Sequence, residues 1–144
     1  MKILVINGPN LNMLGIREPE IYGRVTLLDI EKELIEYSKN FKDVELEFYQ
    51  SNIEGEIVSK IQNSMDKDGI IINPAAYTHT SIAILDALKA VKIPTVEVHL
   101  TNVNSRDSFR QKSYTIEGCI GQVSGFKKDS YKMALFGLYN YINE

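Results

Sequence analysis

Residues 2–26, KILVINGPNLNMLGIREPEIYGRVT, contain an apolar strand, a long connection and the start of a helix. The unbroken apolar run Ile3–Ile6 predicts a strand buried on both faces, which is typical of a parallel sheet. Thr26 and Asp29 have the spacing of a capping box and therefore predict a helix start. The connection between this strand and this helix includes residues 7–23 and is far longer than the ~2–6 residues usual for a strand-to-helix link. A connection of this length predicts a functional loop.

The connection is predicted to act as a lid that brings chemistry to a site. It contains too little Ser, Lys and Glu for a disordered segment, and Gly15 and Gly23 are candidate hinges. Asn10, Arg17 and Tyr22 are its candidate functional side chains. Tyrosine is a poor base at neutral pH unless a cation stabilises the phenolate, and Arg17 could supply that cation. Spacing alone leaves open a packing role for Tyr22.

The composition is that of one globular domain, which we expect to span residues 1–144. The net charge of −3 gives no argument for binding nucleic acid or a membrane surface. The single cysteine, Cys119, rules out an internal disulfide and fits an inert thiol in a reducing compartment. The sequence shows neither a signal peptide nor the ~18 consecutive apolar residues of a membrane span. We therefore expect a cytoplasmic enzyme or binding module.

Strand and helix patterns alternate along the chain. Further strands are predicted at residues 44–48, 69–73, 95–100 and 119–124, and helices are predicted to begin at Thr26, Ser51 and Thr78 and to include Tyr131–Ile142. Alternation of this kind implies right-handed crossovers. The predicted fold class is α/β, a flavodoxin-like three-layer sandwich with a five-stranded parallel sheet in the order 2-1-3-4-5. Ligands of such sheets bind at the carboxyl ends of the strands, at the switch point between strands one and three.

The fourth predicted strand carries a candidate acid. Glu97 and His99 are two residues apart, so their side chains share one face of the strand. A buried carboxylate is costly unless it is paired, and the neighbouring imidazole is its obvious partner. A glutamate that accepts from one ring nitrogen supports the protonated form, which favours His99 as a general acid. The pair could instead be purely structural, but its place at a strand's carboxyl end favours a site.

Other polar residues follow the same strand ends. His79 lies in the THTS segment, where hydroxyl groups are predicted to cap a helix, and it could equally be a surface residue. Asp86 is an isolated carboxylate in an apolar helix, which a solvated face or a subunit interface would explain. Arg106 and Arg110 suit an acidic substrate, although either alone is more simply explained as a surface arginine.

Metal and cofactor motifs are absent from the sequence. There is no HExxH segment and no cysteine pair, and the two histidines lie on different predicted elements. Neither a GxGxxG nor a GxxxxGK[ST] segment follows the first strand. We therefore expect neither a metal ion nor an organic cofactor.

Four segments together resemble the type II 3-dehydroquinate dehydratases in order and spacing. They are NGPNLNMLGIREPEIYG (7–23), NPAAYTHTSIAILDAL (73–88), VEVHLTNVNSRDSFR (96–110) and KSY (112–114). The resemblance covers essentially the whole chain. It implies a flavodoxin-like fold, dehydration of 3-dehydroquinate to 3-dehydroshikimate in the shikimate pathway, no metal or organic cofactor, and a homododecamer built from trimers.

Matching positions imply the following catalytic roles. Tyr22 resembles the base that removes a proton beside the ketone, and Arg17 matches the residue that lowers the pKa of this tyrosine. His99 matches the acid that protonates the departing hydroxyl group, and Glu97 matches its orienting partner. Asn10 falls where the family stabilises the enolate through a bound water molecule.

The resemblance also implies a set of substrate-binding residues. These are Asn73, His79, Asp86, Leu100, Thr101 and Arg110. Arg110 and the Leu100–Thr101 backbone are expected to hold the substrate carboxylate, and Asp86 matches a residue that reaches the site of a neighbouring subunit. The chain departs from the commonest family form at Asn104, Gln111 and Lys112, where many members have histidines.

Three other classes compete with this interpretation. A flavodoxin-like nucleotide or flavin binder would need phosphate-cradling glycines after the first strand. A receiver domain would need an acidic cluster there, where this chain has Asn7 and Asn10. A Schiff-base dehydratase would need a buried reactive lysine, and no lysine lies on an apolar face of a predicted element.

Overall fold

The computed structural model describes residues 1–144 except for the side chain of Tyr22. The strands are β1 (Lys2–Asn7), β2 (Glu45–Gln50), β3 (Gly69–Asn73), β4 (Thr95–His99) and β5 (Gly121–Ser124). The α-helices are α1 (Pro19–Tyr22), α2 (Leu27–Ser38), α3 (Glu54–Gln62), α4 (Ile82–Val91) and α5 (Asp129–Asn143). Short 3₁₀ turns occupy Leu11–Met13, Ala75–His79, Val103–Ser105, Ser108–Arg110 and Thr115–Gly118. None of the described helices has the length and apolarity needed to cross a bilayer.

The five strands form one parallel sheet in the order β2-β1-β3-β4-β5, which confirms the predicted α/β fold and strand order. Side chains alternate along β1: Ile3 and Val5 pack against α2 and α5, whereas Leu4 and Ile6 pack against α3 and α4. Helices therefore cover both faces, and each fully buried aliphatic side chain contributes roughly 1.5–3 kcal/mol. The edge strand β2 is only partly buried, as its alternating pattern predicts.

The two predicted helix caps have different outcomes. At α2 the capping box is present, because Thr26 Oγ1 accepts from the N–H of Asp29 at 3.1 Å and Asp29 accepts from the N–H of Thr26 at 3.0 Å. The predicted cap at Ser51 is wrong: α3 begins at Glu54 and Ile53 is its N-cap. The Ser51 hydroxyl instead accepts from the N–H of Ile53, inside the loop that precedes the helix.

The segment after β3 is more finely divided than predicted. Residues 75–79 form a 3₁₀ turn, and α4 begins only after Ser81, whose hydroxyl accepts from the N–H of Ile84 at 2.9 Å. Thr78 is buried in the 3₁₀ turn and is not a helix cap. The fifth strand also starts later than predicted, at Gly121, so Cys119 lies just outside it. Burial raises the pKa of Cys119 to about 12, which keeps this thiol protonated.

Candidate active site

A cavity opens at the carboxyl ends of β1, β3 and β4, at the predicted switch point. Its walls come from the connection after β1, the 75–79 turn and the loop that follows β4. Most of the predicted site residues line it: Asn10, Arg17, Asn73, His79, His99, Leu100, Thr101 and Arg110. The ends of β1 and β3 meet closely here, since a Cβ atom added to Gly8 would lie 2.5 Å from the carbonyl oxygen of Pro74.

His99 and Glu97 form the predicted pair. Glu97 is fully buried, and its Oε2 atom lies 2.9 Å from Nε2 of His99. A carboxylate can only accept here, so Nε2 carries the hydrogen and Nδ1 is the ring nitrogen left for other partners. Because His99 lines the cavity and Glu97 lies behind it, the pair directs an imidazole at whatever the cavity binds.

Three further donors surround the Glu97 carboxylate. Ser113 Oγ lies 2.9 and 3.0 Å from its two oxygens, Gln122 Nε2 lies 2.5 Å from Oε2, and the Thr115 hydroxyl donates to Oε1. Burial opposes ionisation of Glu97, but hydrogen bonds from His99, Thr115 and Gln122 outweigh it and hold the pKa of this carboxyl below its ordinary value. We therefore expect Glu97 to stay ionised at neutral pH.

Sequence reasoning did not identify these three donors. Ser113 and Thr115 come from the loop before β5, and Gln122 lies directly beside Glu97 in the register of β4 and β5. A usable signal was present, since Gln122 is a polar residue on the strand predicted to pair with β4. Ser113 also lies inside the KSY segment that carries part of the family resemblance.

Asn73 is fixed by a buried network at the switch point. Its Oδ1 accepts from the N–H of Ala75 at 3.1 Å, and its Nδ2 donates to the Tyr131 hydroxyl at 3.1 Å. Tyr131 in turn donates to Oδ1 of Asn7 at 2.6 Å. These contacts settle which side of the Asn73 amide carries the NH₂ group, and that group has a second hydrogen to offer at the cavity wall.

His79 presents an acceptor to the cavity. Its Nδ1 lies 2.7 Å from the carbonyl oxygen of Lys112, so Nδ1 carries the hydrogen and Nε2 is the free acceptor of the neutral ring. Burial lowers the pKa of His79 and outweighs the opposing effect of the Lys112 hydrogen bond. His79 is therefore a neutral hydrogen-bonding group at neutral pH, not a surface cation.

Three arginines give the cavity a positive character. Arg17, Arg106 and Arg110 all line it, so the structure brings both arginines of the loop after β4 to the same cavity as Arg17. Arg110 Nε is buried and has no hydrogen-bond partner among the described residues; it lies 3.7 Å from Oδ2 of Asp107. Guanidinium groups bind carboxylates in a bidentate manner, so this wall suits an acidic ligand.

The structure does not place Asp86 at the cavity of its own chain, and it does not describe the side chain of Tyr22. Asp86 is exposed on α4 and does not line the cavity. The side chain of Tyr22 lies outside the described residues, so its role stays a prediction. No group of three or more potential metal ligands occurs among the described residues.

Comparison with known proteins identifies the family. The family model described as "Dehydroquinase class II" matches residues 1–139. A 3-dehydroquinate dehydratase of Endomicrobium trichonymphae is 58% identical over 135 residues, which cover 93% of this chain and 94% of that protein. The one of Carboxydothermus hydrogenoformans is 56% identical and covers 99% of this chain and 92% of its own length. The crystal structure of a type II dehydroquinase from Butyrivibrio crossotus superposes with a TM-score of 0.93 at 52% identity, covering 96% of this chain and 97% of that one. The chain therefore belongs to the class II dehydroquinase family.

Proposed function

We propose that this chain is a hydro-lyase that converts 3-dehydroquinate to 3-dehydroshikimate through an enolate, the third step of the shikimate pathway. The observation that carries the proposal is the cavity at the switch point, where a buried carboxylate–imidazole pair faces an arginine-lined wall and the connection after β1. The names of the relatives support the same reaction. The substrate is an acid and a ketone, which suits a site with cations and a proton donor.

The first step is removal of the proton beside the ketone. This C–H bond is weakly acidic, so the reaction needs a strong base and a site that stabilises the negative charge. Tyr22, as a phenolate, takes the proton, and Arg17 at the cavity wall supplies the positive charge that favours this phenolate. The electron pair of the broken C–H bond moves onto the ketone oxygen and forms the enolate. Asn10 stabilises that oxygen through a bound water molecule.

The second step expels the hydroxyl group. The enolate electrons form the new carbon–carbon double bond as the C–O bond breaks, and His99 gives its proton to the departing oxygen so that water leaves. Glu97 stabilises the imidazolium before this transfer and keeps the ring oriented after it. Tyr22 ends the cycle protonated and His99 ends it neutral, so one proton must return from the first to the second.

The remaining cavity residues hold the substrate. Arg110 and the backbone of Leu100 and Thr101 bind the carboxylate, for which the buried Nε atom of Arg110 is a suitable donor. Asn73 offers an N–H group and His79 offers a ring nitrogen to the substrate hydroxyl groups. Closure of the lid over the bound substrate excludes water and holds the base in place.

The assembly and location of the enzyme belong to the same proposal. We propose a cytoplasmic homododecamer of single-domain subunits arranged in trimers, in which Asp86 reaches the site of a neighbouring subunit. The exposed Ile82 lies one helical turn before Asp86, so this face of α4 combines an apolar side chain with a carboxylate. Such a face suits contact with another subunit.

The test is a direct dehydratase assay on the purified protein. We expect the conjugated enone product to form, as measured by its ultraviolet absorbance, and its rate to be unchanged by a chelator or by borohydride treatment in the presence of substrate. Loss of activity with borohydride would indicate a Schiff-base mechanism and would contradict the enolate route. A protein that binds a nucleotide or flavin and forms no enone would instead be the binding module considered above.

A further inference from the structure

The loop between β2 and α3 contacts Asn10, near the start of the connection that follows β1. Oδ1 of Asn52 accepts from the backbone N–H of Asn10 at 3.0 Å. Gln50 donates from Nε2 to the same Asn52 oxygen at 3.1 Å and to the carbonyl oxygen of Gly8 at 3.2 Å. One amide oxygen of this loop therefore joins the lid to the strand end of β2, and neither Gln50 nor Asn52 has a role in the reaction described above.

The contact falls on a residue with an unusual backbone. Asn10 has a φ of 68°, in the left-handed region that residues other than glycine rarely adopt. Its carbonyl oxygen accepts from the N–H of Met13 at 2.9 Å, and its N–H donates to Asn52, so the peptide groups on both sides are held. Asn10 also lines the cavity, so the backbone conformation fixes the starting point of a side chain at the site.

Asn52 is itself tied to a second wall of the cavity. Its backbone carbonyl accepts from the Tyr77 hydroxyl at 2.7 Å, and Tyr77 belongs to the 3₁₀ turn that carries His79. Asn52 therefore links Asn10 to the 3₁₀ turn that carries His79. The residue is exposed, so its side chain contributes little buried area to stability.

We propose that Asn52 is a positioning residue, whose side-chain oxygen holds Asn10 in the left-handed conformation that places the Asn10 side chain where it can hold the water molecule bound to the enolate oxygen. This inference rests on the function proposed above. The hydrogen bond compensates for a backbone conformation that is unfavourable for an L-residue. Without it, Asn10 relaxes toward an ordinary conformation and its side chain leaves the reacting atoms. The loss falls on turnover, because Asn10 acts on the intermediate and not on the carboxylate that anchors the substrate.

The test compares two near-isosteric substitutions. Asn52→Leu removes the acceptor, and Asn52→Asp keeps an oxygen at the same place. We expect Asn52→Leu to lower kcat about tenfold and to change KM less than about twofold, since a misplaced group that acts in the transition state lowers kcat. Asn52→Asp should return kcat to within about threefold of the wild type, with any effect of its charge on the anionic substrate appearing in KM. Asn63→Leu, at the exposed end of α3, is the matched control and should leave both constants unchanged.

A second background separates positioning from a general structural role. Asn10→Gly keeps the left-handed backbone at no steric cost but has no side chain to aim. In that background Asn52→Leu should lower kcat by less than about twofold further, because residues that act through one another are not additive. Melting temperatures of all variants are measured in parallel.

The outcomes divide as follows. An unchanged kcat in Asn52→Leu, an equal loss in both backgrounds, or an Asn52→Asp variant as slow as Asn52→Leu would each overturn the inference while leaving an active wild-type enzyme. A folded wild-type protein that forms no product from 3-dehydroquinate would overturn the proposed function and this inference with it. We expect Asn52→Leu to lose kcat, Asn52→Asp to restore it, and the loss to be small in the Asn10→Gly background. This result would support both the proposed function and the role of Asn52.

Discussion

At the scale of single residues, the charge on Glu97 depends on its neighbours. In the proposed reaction His99 becomes neutral once in each cycle, and a fully buried carboxylate with no other partner would then bind a proton. The uncharged donors Ser113, Thr115 and Gln122 remain in place whatever the state of the imidazole. They therefore let Glu97 keep its charge when His99 is neutral, so that Glu97 does not take up a proton in its place.

Replacing Gln122 by Leu should reveal this support as a pH dependence. The pKa of Glu97 is lowered in the folded protein, so its contribution to stability is present above the ordinary value of 4.5 and is lost as the pH falls through the lowered value. With one donor removed, the pKa of Glu97 moves back toward 4.5 and that contribution shrinks. We expect Gln122→Leu to lower the free energy of unfolding in urea by about 1–2 kcal/mol at pH 7. The difference in free energy of unfolding between variant and wild type should become smaller below pH ~4.5.

The matched control for this experiment is Gln62→Leu on the exposed side of α3, which should change neither the stability nor its pH dependence. A loss of stability in Gln122→Leu that is the same at every pH would mean that the glutamine only packs, with no effect on the charge of Glu97.

The assignment of Tyr22 as the base has a direct test. Tyr22→Phe removes the phenol oxygen and keeps the ring, so we expect kcat to fall by about 10²–10⁴-fold, the usual contribution of a general base. His99→Ala should lose most activity as well. Tyr141→Phe, on the exposed side of α5, is the control and should keep full activity. Circular dichroism checks that each variant is folded, and near-full turnover of Tyr22→Phe would show that another group removes the proton.

At the scale of secondary-structure elements, the path of the connection after β1 depends on the backbone conformation of Gly23, directly after α1. Gly23 ends this helix with φ 81° and ψ −174°, a conformation that is essentially restricted to glycine. A Cβ atom at Gly23 would have no neighbour within 4 Å, so substitution by alanine changes the backbone preference and nothing else. The residue immediately before it is Tyr22. The direction in which the chain leaves α1 therefore bears on the placement of Tyr22, the proposed base.

Gly23→Ala should accordingly lower kcat about tenfold or more by misplacing the lid, and it should lower the free energy of unfolding by about 1–3 kcal/mol. Gly55→Ala is the matched control, because Gly55 lies in α3 and also has open space at its Cβ position. There alanine favours the helix, and we expect unchanged kcat and a gain of about 0.5 kcal/mol. Steady-state kinetics and urea denaturation measure the two effects. Equal kcat values for the two variants would argue against a role for the lid backbone.

Prediction from sequence succeeded where the pattern is local and regular. The apolar runs at Ile3–Ile6 and Gly69–Asn73 predict the central strands, and the alternation of strands and helices predicts a parallel sheet. Five strands with a long connection after the first then suggest the flavodoxin-like order. Glu97 and His99 could be paired in advance because they are two residues apart on one strand. Ser113 and Thr115 could not, because folding alone brings their loop to the Glu97 carboxylate, whereas Gln122 was detectable only as a polar residue on the strand predicted to pair with β4. At Ser51 a local pattern predicted a contact that does not form. Its spacing to Glu54 fits a helix cap, but its hydroxyl accepts from the N–H of Ile53 within the loop before the helix.

At the scale of the whole molecule, the cavity of one chain leaves Asp86 unexplained. This carboxylate is exposed on α4 and does not contribute to the cavity of its own subunit. The same face of α4 carries Ile82, an apolar side chain that is 53% exposed. In a closed ring of subunits the same face of every chain meets a different face of the next one, so a residue of one subunit can complete the site of another. The proposed trimers give Asp86 this position.

Mixed oligomers should show whether Asp86 acts on a neighbouring site. His99→Ala and Asp86→Ala should each be nearly inactive alone. In oligomers formed by co-expression, an Asp86→Ala subunit has an intact His99 and can receive Asp86 from a His99→Ala neighbour. Random mixing then restores about a quarter of the sites. The specific activity of the purified mixture measures this, and light scattering should give about twelve times the chain mass of 16.3 kDa. Mixing His99→Ala with Glu97→Gln is the control. His99 and Glu97 form their pair within one subunit, so no site in this mixture has both residues intact and no activity should be restored. If Asp86 serves its own subunit, the first mixture stays as inactive as its components, and the exposed carboxylate on α4 needs a different explanation.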